Sequence, residues 1–310
     1  MALNNPLHGI YVLDKPKSLS SQRVLNSLKG VFQTKRIGHL GTLDPFATGV
    51  LPVFVGEMTK LIPYCEDSKK SYVAELKLGE ETDTLDCTGE IIQRTEIPEI
   101  KVEQILASLE KLQGRRFQRA PMYSAIKIAG RPLYSYARKD KTPESSETVR
   151  QREVEIFRLE LLDYQKPLLR FFCEVSRGTY VRSLGLEIAE LLGTKGHLCN
   201  LRRTQSGLFT EEQALLPELF QNADADFLRS HQIPLKKLYS KVQHLELSPD
   251  LLERMLKGQW IKISELPLDS QNDYQSGLIC FAYLEGKLAI IAEYKEKNGK
   301  KYLAPLRGIN

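Results

Sequence analysis

Asp44 stands near the centre of a glycine-rich segment, Gly38–Gly49, whose sequence is GHLGTLDPFATG. Glycine permits backbone conformations that other residues avoid, so this segment can turn tightly or pass close to another surface. Pro45 fixes its own φ and favours an extended conformation at Asp44. A carboxylate held in such a loop can act as a nucleophile. An Asp-Pro pair is also an ordinary helix start, so the chemical interpretation requires partners from elsewhere in the chain.

A second acidic segment, Glu81–Gly89, carries Asp83 and Asp86 among threonines. Its composition resembles a cation-binding loop, but it lacks the ligand spacing of an EF-hand, and turn chemistry is the favoured interpretation. The five histidines and five cysteines form no metal-ligand pairs, so no metal site is predicted. The sequence also lacks the glycine-rich motifs that bind ATP or a dinucleotide.

Positive charge is concentrated in residues 115–152, which contain ten Lys or Arg and three acidic residues. The difference of seven exceeds the net charge of +5 of the whole chain. Aromatic residues are interleaved with Lys127, Arg131, Arg138 and Lys139, a composition that binds a nucleic-acid backbone and stacks on bases. On charge alone, a solvated loop explains the segment equally well.

The composition indicates a soluble globular protein, with 42% hydrophobic and 27% charged residues. A length of 310 residues predicts two domains, one large and one small. No apolar run approaches the roughly 18 residues of a membrane span. The first residues, Met1 to Tyr11, lack the cationic flank and apolar core of a signal peptide. The cysteines are odd in number and widely spaced, which predicts reduced thiols in the cytoplasm.

Hydrophobic periodicity predicts a succession of strands and helices. In the strand predicted at 69–78, Tyr72 shares an apolar side with Ala74 and Leu76. Thr179 is the predicted cap of a helix that reaches about Leu192. Past a linker at 234–241, a compact β-rich segment is expected. The predicted strands are 8–13, 50–55, 69–78, 123–128, 154–164, 169–175, 196–207, 278–283, 287–294 and 301–305, and the predicted helices are 20–32, 101–112, 133–138, 179–192 and 248–256.

The segment Gly38–Pro52 resembles the signature of the TruB family of tRNA pseudouridine synthases. Further segments match that family in the same order along the chain, and the ordered set is far more specific than any single motif. Two departures are small, since Ser18 replaces a glycine and Arg177 replaces a common lysine. The C-terminal segment is similar to the PUA-like domain of bacterial members. The matching segments are Asp14–Pro16, Lys70–Tyr72, Leu78–Gly89, Tyr123–Lys127, Gly130–Arg138, Gly178–Arg182 and Leu201–Arg203.

The resemblance implies an α+β fold with a mixed, mostly antiparallel sheet flanked by helices. Residues 1–240 would form the catalytic domain, with an RNA-binding insertion at about 115–152, and residues 241–310 a PUA-like domain. The implied activity is the isomerisation of uridine-55 to pseudouridine in the T loop of tRNA, without metal, cofactor or membrane partner. The N-glycosidic bond breaks, the flipped uracil rotates, and a C–C bond forms. A cytoplasmic monomer is expected.

The resemblance also implies roles for individual residues. Asp44 would be the essential catalytic group, attacking the ribose or the base. Arg182 would pair with Asp44 and lower its pKa. Tyr72 would stack on the flipped uracil and assist proton transfer. The implied substrate-binding residues are His39 in the space that the base leaves, Tyr180 and Leu201 around the pocket, and Lys15 and Lys60 as further contacts. The composition of the basic segment adds Lys127, Arg131 and Arg138 as expected substrate contacts.

Two rival functions share some of these features. A non-catalytic factor that binds or folds RNA would use the basic segment, but it has no need for Asp44 and Arg182 together. A uridine-specific glycosylase would use the same chemistry up to bond cleavage and would then release free uracil.

Overall fold

The computed structural model describes residues 7–65, 69–121, 123, 127–128, 131–132, 151–239, 242–267 and 275–309. A large sheet with packed helices occupies the first two thirds of the chain, and a smaller sheet follows. This architecture confirms the predicted α+β class. Among the described residues, no helix is long and apolar enough to cross a membrane.

The large sheet has the strand order β1-β3-β12-β4-β11-β10-β7, with β2 beside β3 and β13 beside β12. All described pairings are antiparallel except that of β3 with β12. The late strand β12 therefore lies between two early ones, β3 and β4. The strands are β1 Ile10–Lys15, β2 Ile37–His39, β3 Thr48–Val55, β4 Lys70–Leu78, β7 Gly114–Arg119, β10 Gln151–Gln165, β11 Leu168–Val175, β12 Gly196–Ser206 and β13 Phe209–Thr210, and two small hairpins pair β5 Glu80–Thr82 with β6 Ile91–Arg94 and β8 Lys127–Ile128 with β9 Arg131–Pro132.

Helices cover the apolar face of this sheet. The prediction that Tyr72 and Ala74 share a buried side of β4 is confirmed, because both belong to the main core cluster while Val73 and Glu75 are half-buried on the other face. Leu76 on the same side is fully buried, and burying a side chain of that size contributes about 1.5–3 kcal/mol. The helices that pack on this face are α1 Ser21–Leu28, α2 Val102–Leu112 and α3 Val181–Leu191, and the short helices α4 Pro217–Gln221, α5 Ala225–Ser230 and α6 Leu235–Leu238 follow β13.

The smaller sheet has the order β14-β16-β17-β18-β15. One of its faces packs on its own helix, α7 Pro249–Leu256. Phe281 and Ile291 instead join a cluster with Ile10 and Val50 of the large sheet, so the two sheets share apolar contacts. The β-rich C-terminal part is confirmed and is consistent with a PUA-like domain, while the boundary at residue 240 stays a prediction. The strands are β14 Gln243–Glu246, β15 Ile261–Lys262, β16 Ile279–Leu284, β17 Lys287–Lys297 and β18 Lys300–Gly308.

Several local predictions are wrong. The Gly38–Gly49 segment is not a loop throughout, because its first and last residues pair in β2 and β3. Helix α3 begins after Tyr180 rather than after Thr179. The linker predicted at 234–241 contains helix α6, and helices α4 and α5 were not predicted from periodicity because they are too short to show it. The helix predicted at 133–138 lies outside the described residues.

Candidate active site

Asp44 projects from a short turn between β2 and β3 that is anchored on both sides. Leu43, Phe46 and Ala47 are buried around it. The Ser21 hydroxyl donates to the Leu43 carbonyl at 3.1 Å and accepts from the Leu43 N–H at 2.9 Å. The side chain of Asp44 nevertheless remains 36% exposed. The turn therefore presents one accessible carboxylate on a fixed backbone.

Lys15 is hydrogen-bonded to the turn that carries Asp44. Its side chain is fully buried at 0% exposure, and its ammonium donates to the carbonyls of Pro16 at 2.8 Å, Leu19 at 2.6 Å and Pro45 at 3.3 Å. Burial lowers the pKa of Lys15 to about 8. Backbone carbonyls thus surround the ammonium, and one of them belongs to Pro45, the residue that follows Asp44. The substrate contact expected of Lys15 stays a prediction.

Gly49 can only be glycine at the start of β3. Its φ is +102°, and a Cβ there would lie 2.2 Å from the Arg203 carbonyl oxygen of β12. The Arg203 side chain, at 0% exposure, donates from Nε to the Val50 carbonyl at 2.7 Å and from Nη2 to the Gly41 carbonyl at 3.1 Å. Arg203 thus ties both ends of the Asp44 turn to β12.

Arg182 meets the carboxylate of Asp44, as the family resemblance implied. Its Nε lies 2.9 Å from one carboxylate oxygen and its Nη2 lies 3.2 Å from the other. The guanidinium is only 5% exposed, and it also donates to the carbonyls of Thr84 at 2.7 Å and Tyr123 at 3.0 Å. Such a two-point pair fixes orientation as well as charge.

The direction of the Asp44 pKa shift differs from the expectation. Burial raises the pKa of Asp44 above its usual value. Arg182 acts in the expected direction and lowers it, but burial and the nearby negative charge of Asp86 outweigh that effect. The family resemblance implied the cationic partner, Arg182, whereas the contribution of the second acid, Asp86, was not predicted.

Asp86 is a part of the site that the sequence interpretation missed. Its carboxylate lies 3.4 Å from Arg182 Nη1 and is 5% exposed. It accepts from the Thr84 hydroxyl at 3.0 Å and from the Thr88 N–H at 2.9 Å. The predicted turn chemistry of this segment is therefore confirmed, but the turn also supports the Arg182 guanidinium. The one feature of the sequence that could have indicated a role for Asp86 is its position in the family-matching segment Leu78–Gly89.

Tyr72, His39 and Leu201 lie on the strands around Asp44. Tyr72 is 7% exposed, and burial raises the pKa of its phenol while the positive charge of Arg203 opposes the shift. His39 ends β2, and its pKa is lowered by burial and by the positive charges of Arg203 and Lys70. Leu201 is 4% exposed on β12, beside Ala74 of β4. The phenol of Tyr72 thus stays protonated at neutral pH.

Tyr180 is the residue immediately before helix α3, and its side chain makes no capping hydrogen bond to the helix. The buried Gln118 of β7 bonds both backbone groups of Tyr180, since its Oε1 accepts from the Tyr180 N–H at 2.8 Å and its Nε2 donates to the Tyr180 carbonyl at 3.2 Å. Gln118 thereby fixes the backbone two residues before Arg182. Nothing in the local sequence of either segment signals this pairing.

Of the remaining predicted contacts, Lys60 is the one whose side chain the structure describes. Lys60 lies on a 3-10 helix after β3, pairs with Glu57, and donates to the Gly308 carbonyl at 2.7 Å, so it connects the two sheets. Lys127 and Arg131 lie on the β8–β9 hairpin, of which only the backbone is described. Arg138 and Lys139 lie outside the described residues. No group of three or more potential metal ligands occurs among the described residues.

Solved structures share this fold. A crystal structure of a Cbf5-Nop10-Gar1 complex matches with a TM-score of 0.69 at 21% identity, covering 98% of this chain and 86% of that chain. The structure of an H/ACA RNP bound to a substrate RNA containing 2′-deoxyuridine matches with a TM-score of 0.68 at 19% identity, covering 97% and 84%. The fold is therefore that of the pseudouridine synthases.

Sequence relatives identify the family. The chain is 47% identical over 210 residues to tRNA pseudouridine synthase B of Francisella philomiragia, covering 67% of this chain and 68% of the relative. It is 46% identical over 209 residues to the protein of the same name from Francisella tularensis, with the same coverage. The model of the N-terminal domain of TruB family pseudouridylate synthases matches residues 29–181. The chain belongs to the TruB family of pseudouridylate synthases, which are isomerases.

Proposed function

We propose that this enzyme converts uridine-55 in the T loop of tRNA to pseudouridine, with Asp44 as the essential catalytic group. The observation that carries the proposal is the accessible Asp44 carboxylate, held at two points by a nearly buried Arg182 in a TruB family chain. The relatives named above act on tRNA, which supports the same substrate class here. The reaction takes place in the cytoplasm, where tRNA resides.

Asp44 supplies the chemistry as an anion. Its carboxylate attacks the ribose or the base, the N1–C1′ bond breaks, and the uracil rotates so that C5 joins C1′. The proton lost from C5 is balanced by one gained at N1, so the reaction is an isomerisation without a net reactant. Arg182 holds the carboxylate in one orientation throughout, which keeps the reacting atoms aligned.

Tyr72 provides a surface for the flipped uracil. Its buried ring lies on the core face of β4, and the negative charge of Asp44 helps to raise the pKa of its phenol. Stacking of a base on such a ring contributes about 1–3 kcal/mol. Because the phenol stays protonated, it acts through stacking and hydrogen bonding rather than as a phenolate base.

A nucleotide in a folded arm must leave its stack before it reaches Asp44, which costs a few kcal/mol. The basic segment 115–152 supplies binding energy through phosphate contacts. Neutralising Lys127, Arg131, Arg138 and Lys139 together should therefore weaken tRNA binding and reduce the salt slope by about three to four. Titrations of tRNA at several salt concentrations measure both quantities, and unchanged values would remove this segment from the interface.

The deciding experiment incubates the full chain with an unmodified tRNA transcript and maps pseudouridine at each position. A transcript without the T arm serves as the control and should remain unmodified. Free uracil among the products would instead support the glycosylase function. Tight binding without any modified nucleotide would support the RNA-binding factor.

A further inference from the structure

Strand β7 is joined to the start of helix α3 by two contacts that flank Arg182. Gln118, which is 2% exposed, bonds the backbone of Tyr180 at both its N–H and its carbonyl. The hydroxyl of Ser183, which is 5% exposed, donates to the carbonyl of Arg119 at 2.7 Å. Arg182 therefore lies between two points at which the backbone of one element is fixed to the other.

The chain that continues from β7 also meets the guanidinium itself. The carbonyl of Tyr123, four residues after the end of β7, accepts from Arg182 Nη2 at 3.0 Å. In the second turn of α3, the Glu187 carboxylate lies 3.0 Å from Arg116 Nη2 of β7. Residues 116–123 thus contact α3 from its start to its second turn. They are also the beginning of the basic segment 115–152, in which the RNA contacts are proposed.

Neither of the two flanking contacts belongs to the hydrogen bonding of the helix itself. Tyr180 precedes the first residue of α3, so its N–H lies outside the helix. The Ser183 hydroxyl donates to β7, whereas the Ser108 hydroxyl in α2 donates to the Gln104 carbonyl of the same helix region at 2.8 Å. The contacts of Gln118 and Ser183 therefore fix where α3 lies relative to β7.

The position of α3 matters because Arg182 meets Asp44 at two points. Nε lies 2.9 Å from one carboxylate oxygen and Nη2 lies 3.2 Å from the other. A pair of this kind depends on the relative geometry of both groups. Misplacement of a reacting group by about 1 Å can cost on the order of 10²-fold in rate. The attachment of α3 to β7 therefore limits how accurately the carboxylate is oriented.

We propose that Gln118 and Ser183 are positioning residues for the Asp44–Arg182 pair, which they hold against the strand where the basic segment begins. Both side chains are nearly buried, so each acts through the backbone of α3 rather than by contact with the substrate. The proposal rests on the proposed function for its reaction, the formation of pseudouridine.

Kinetics on an unmodified tRNA transcript test this role in the full chain. Ser183→Ala removes one attachment, and Gln118→Met removes the other with little change of shape. Each should lower kcat about tenfold and leave KM within about twofold, because the reacting groups are misplaced while the RNA contacts are unaltered. Ser183→Thr keeps the hydroxyl and should retain kcat within about twofold of wild type.

Ser108→Ala is the matched control. Ser108 is 7% exposed, and its hydroxyl also donates to a backbone carbonyl, but the bond is local to α2. This variant should retain the wild-type kcat. A loss in Ser108→Ala as large as that in Ser183→Ala overturns the proposal, and so does a wild-type kcat in Ser183→Ala.

The pH dependence gives a readout that lost stability alone does not move. The groups that act on Asp44 from the elements around it are Arg182, Asp86, Lys15 and the phenol of Tyr72, and Arg182 lowers the pKa of Asp44. A loosened guanidinium lowers that pKa less, so the acidic limb of the kcat profile should move to higher pH in both attachment variants. An unmoved limb in folded variants contradicts the positioning role.

Titration of the Asp44 carboxylate by NMR in the free protein tests the same point without RNA. With ¹³C-labelled aspartate, Asp44→Asn identifies the signal, which should titrate at higher pH in Ser183→Ala than in wild type. An enzyme that forms no pseudouridine refutes the proposed function, and this titration still decides the positioning role. Thermal unfolding checks that each variant is folded, and Ser183→Ala alone decides if Gln118→Met is not.

Discussion

Two acidic loops meet the same guanidinium, and they hold their carboxylates in opposite ways. Asp44, in the turn between β2 and β3, contacts Arg182 and remains 36% exposed. Asp86, in the turn after β5, contacts Arg182 at 5% exposure and also accepts hydrogen bonds from Thr84 and Thr88. The Asp44 carboxylate therefore keeps an accessible side, whereas the Asp86 carboxylate is buried and accepts hydrogen bonds from its own turn.

The difference teaches which acid is suited to chemistry. A carboxylate whose bonds are satisfied by neighbouring donors is an anchor, because using it as a nucleophile would break that network. Asp86 anchors Arg182, and Arg182 in turn orients Asp44. The position of Asp44 thus depends on Arg182, and the position of Arg182 depends on the Asp86 turn. Substitutions of the two acids should therefore affect turnover and stability differently.

Asp44→Asn gives the largest expected effect. The amide has nearly the same shape, but it carries no charge and is a poor nucleophile, so turnover should fall at least about 10³-fold. Binding of tRNA should stay within a few-fold of wild type, because the phosphate contacts are unaltered. Asp44→Glu keeps the charge and displaces it by about 1 Å, which can cost on the order of 10²-fold.

Pseudouridine mapping after single-turnover incubation measures both variants. If Asp44→Asn retains a tenth or more of wild-type turnover, the carboxylate is not the essential group and the two acids do not differ in the way described.

Asp86→Asn should act mainly on stability. It removes the charge from a buried network around Arg182, so the free energy of unfolding should fall by about 3 kcal/mol. At a temperature where the variant is folded, turnover should be reduced less than in Asp44→Asn, because the Asp44–Arg182 pair is still present. Urea titration and turnover on the same preparation give both numbers. The comparison fails if Asp86→Asn is as inactive as Asp44→Asn while being fully stable.

The pH dependence tests the protonation of Asp44 directly. Because burial raises the pKa of Asp44, turnover should fall as the pH drops through that raised pKa, above the ordinary Asp value of about 4. A raised pKa in the folded state means that the contribution of Asp44 to stability is full below its unfolded pKa and is lost as the pH rises through the folded pKa. The difference in unfolding free energy between wild type and Asp44→Asn should therefore decrease across that window.

Urea titrations of both proteins from about pH 4 to 7 test the sign. A difference that increases with pH would show that Arg182 outweighs burial at Asp44.

Thr88→Val gives the smallest effect. The hydroxyl of Thr88 donates to the Asp86 carboxylate, and its loss should cost about 1 kcal/mol of unfolding free energy. Turnover at a permissive temperature should be unchanged, because the Thr88 N–H and the Thr84 hydroxyl still hold Asp86. A large loss of turnover in Thr88→Val would mean that the Asp86 turn takes part in the reaction.

Periodicity in the sequence predicted much of the fold and part of this site. The alternation in β4 placed Tyr72 on the buried face, and the strands predicted at 154–164 and 169–175 correspond to β10 and β11. These patterns are local, so they can be identified without the tertiary structure. The pairing of Arg182 with Asp44 came instead from the family resemblance, since 138 residues separate the two along the chain.

What could not be predicted depends on contacts between distant segments. Lys15 looks like a surface lysine in the sequence, and only the folded turn surrounds its ammonium with carbonyls. Gln118 bonds the Tyr180 backbone from 62 residues away. The expected cap, Thr179, was wrong because helix α3 begins one residue later. The turn chemistry of its segment accounted for Asp86, so nothing in the sequence indicated its additional contact with Arg182.

The strand order has a consequence for biosynthesis. Strand β12 lies between β3, which follows the Asp44 turn, and β4, which bears Tyr72. A nascent chain that ends before residue 196 contains Asp44, Tyr72 and Arg182 but lacks the strand that joins their supports. We therefore expect the site to assemble late in translation, when non-local pairing completes the sheet. Ribosome-stalled chains with and without β12 outside the ribosome should differ in protease protection of β3 and β4, and equal protection would refute this order of assembly.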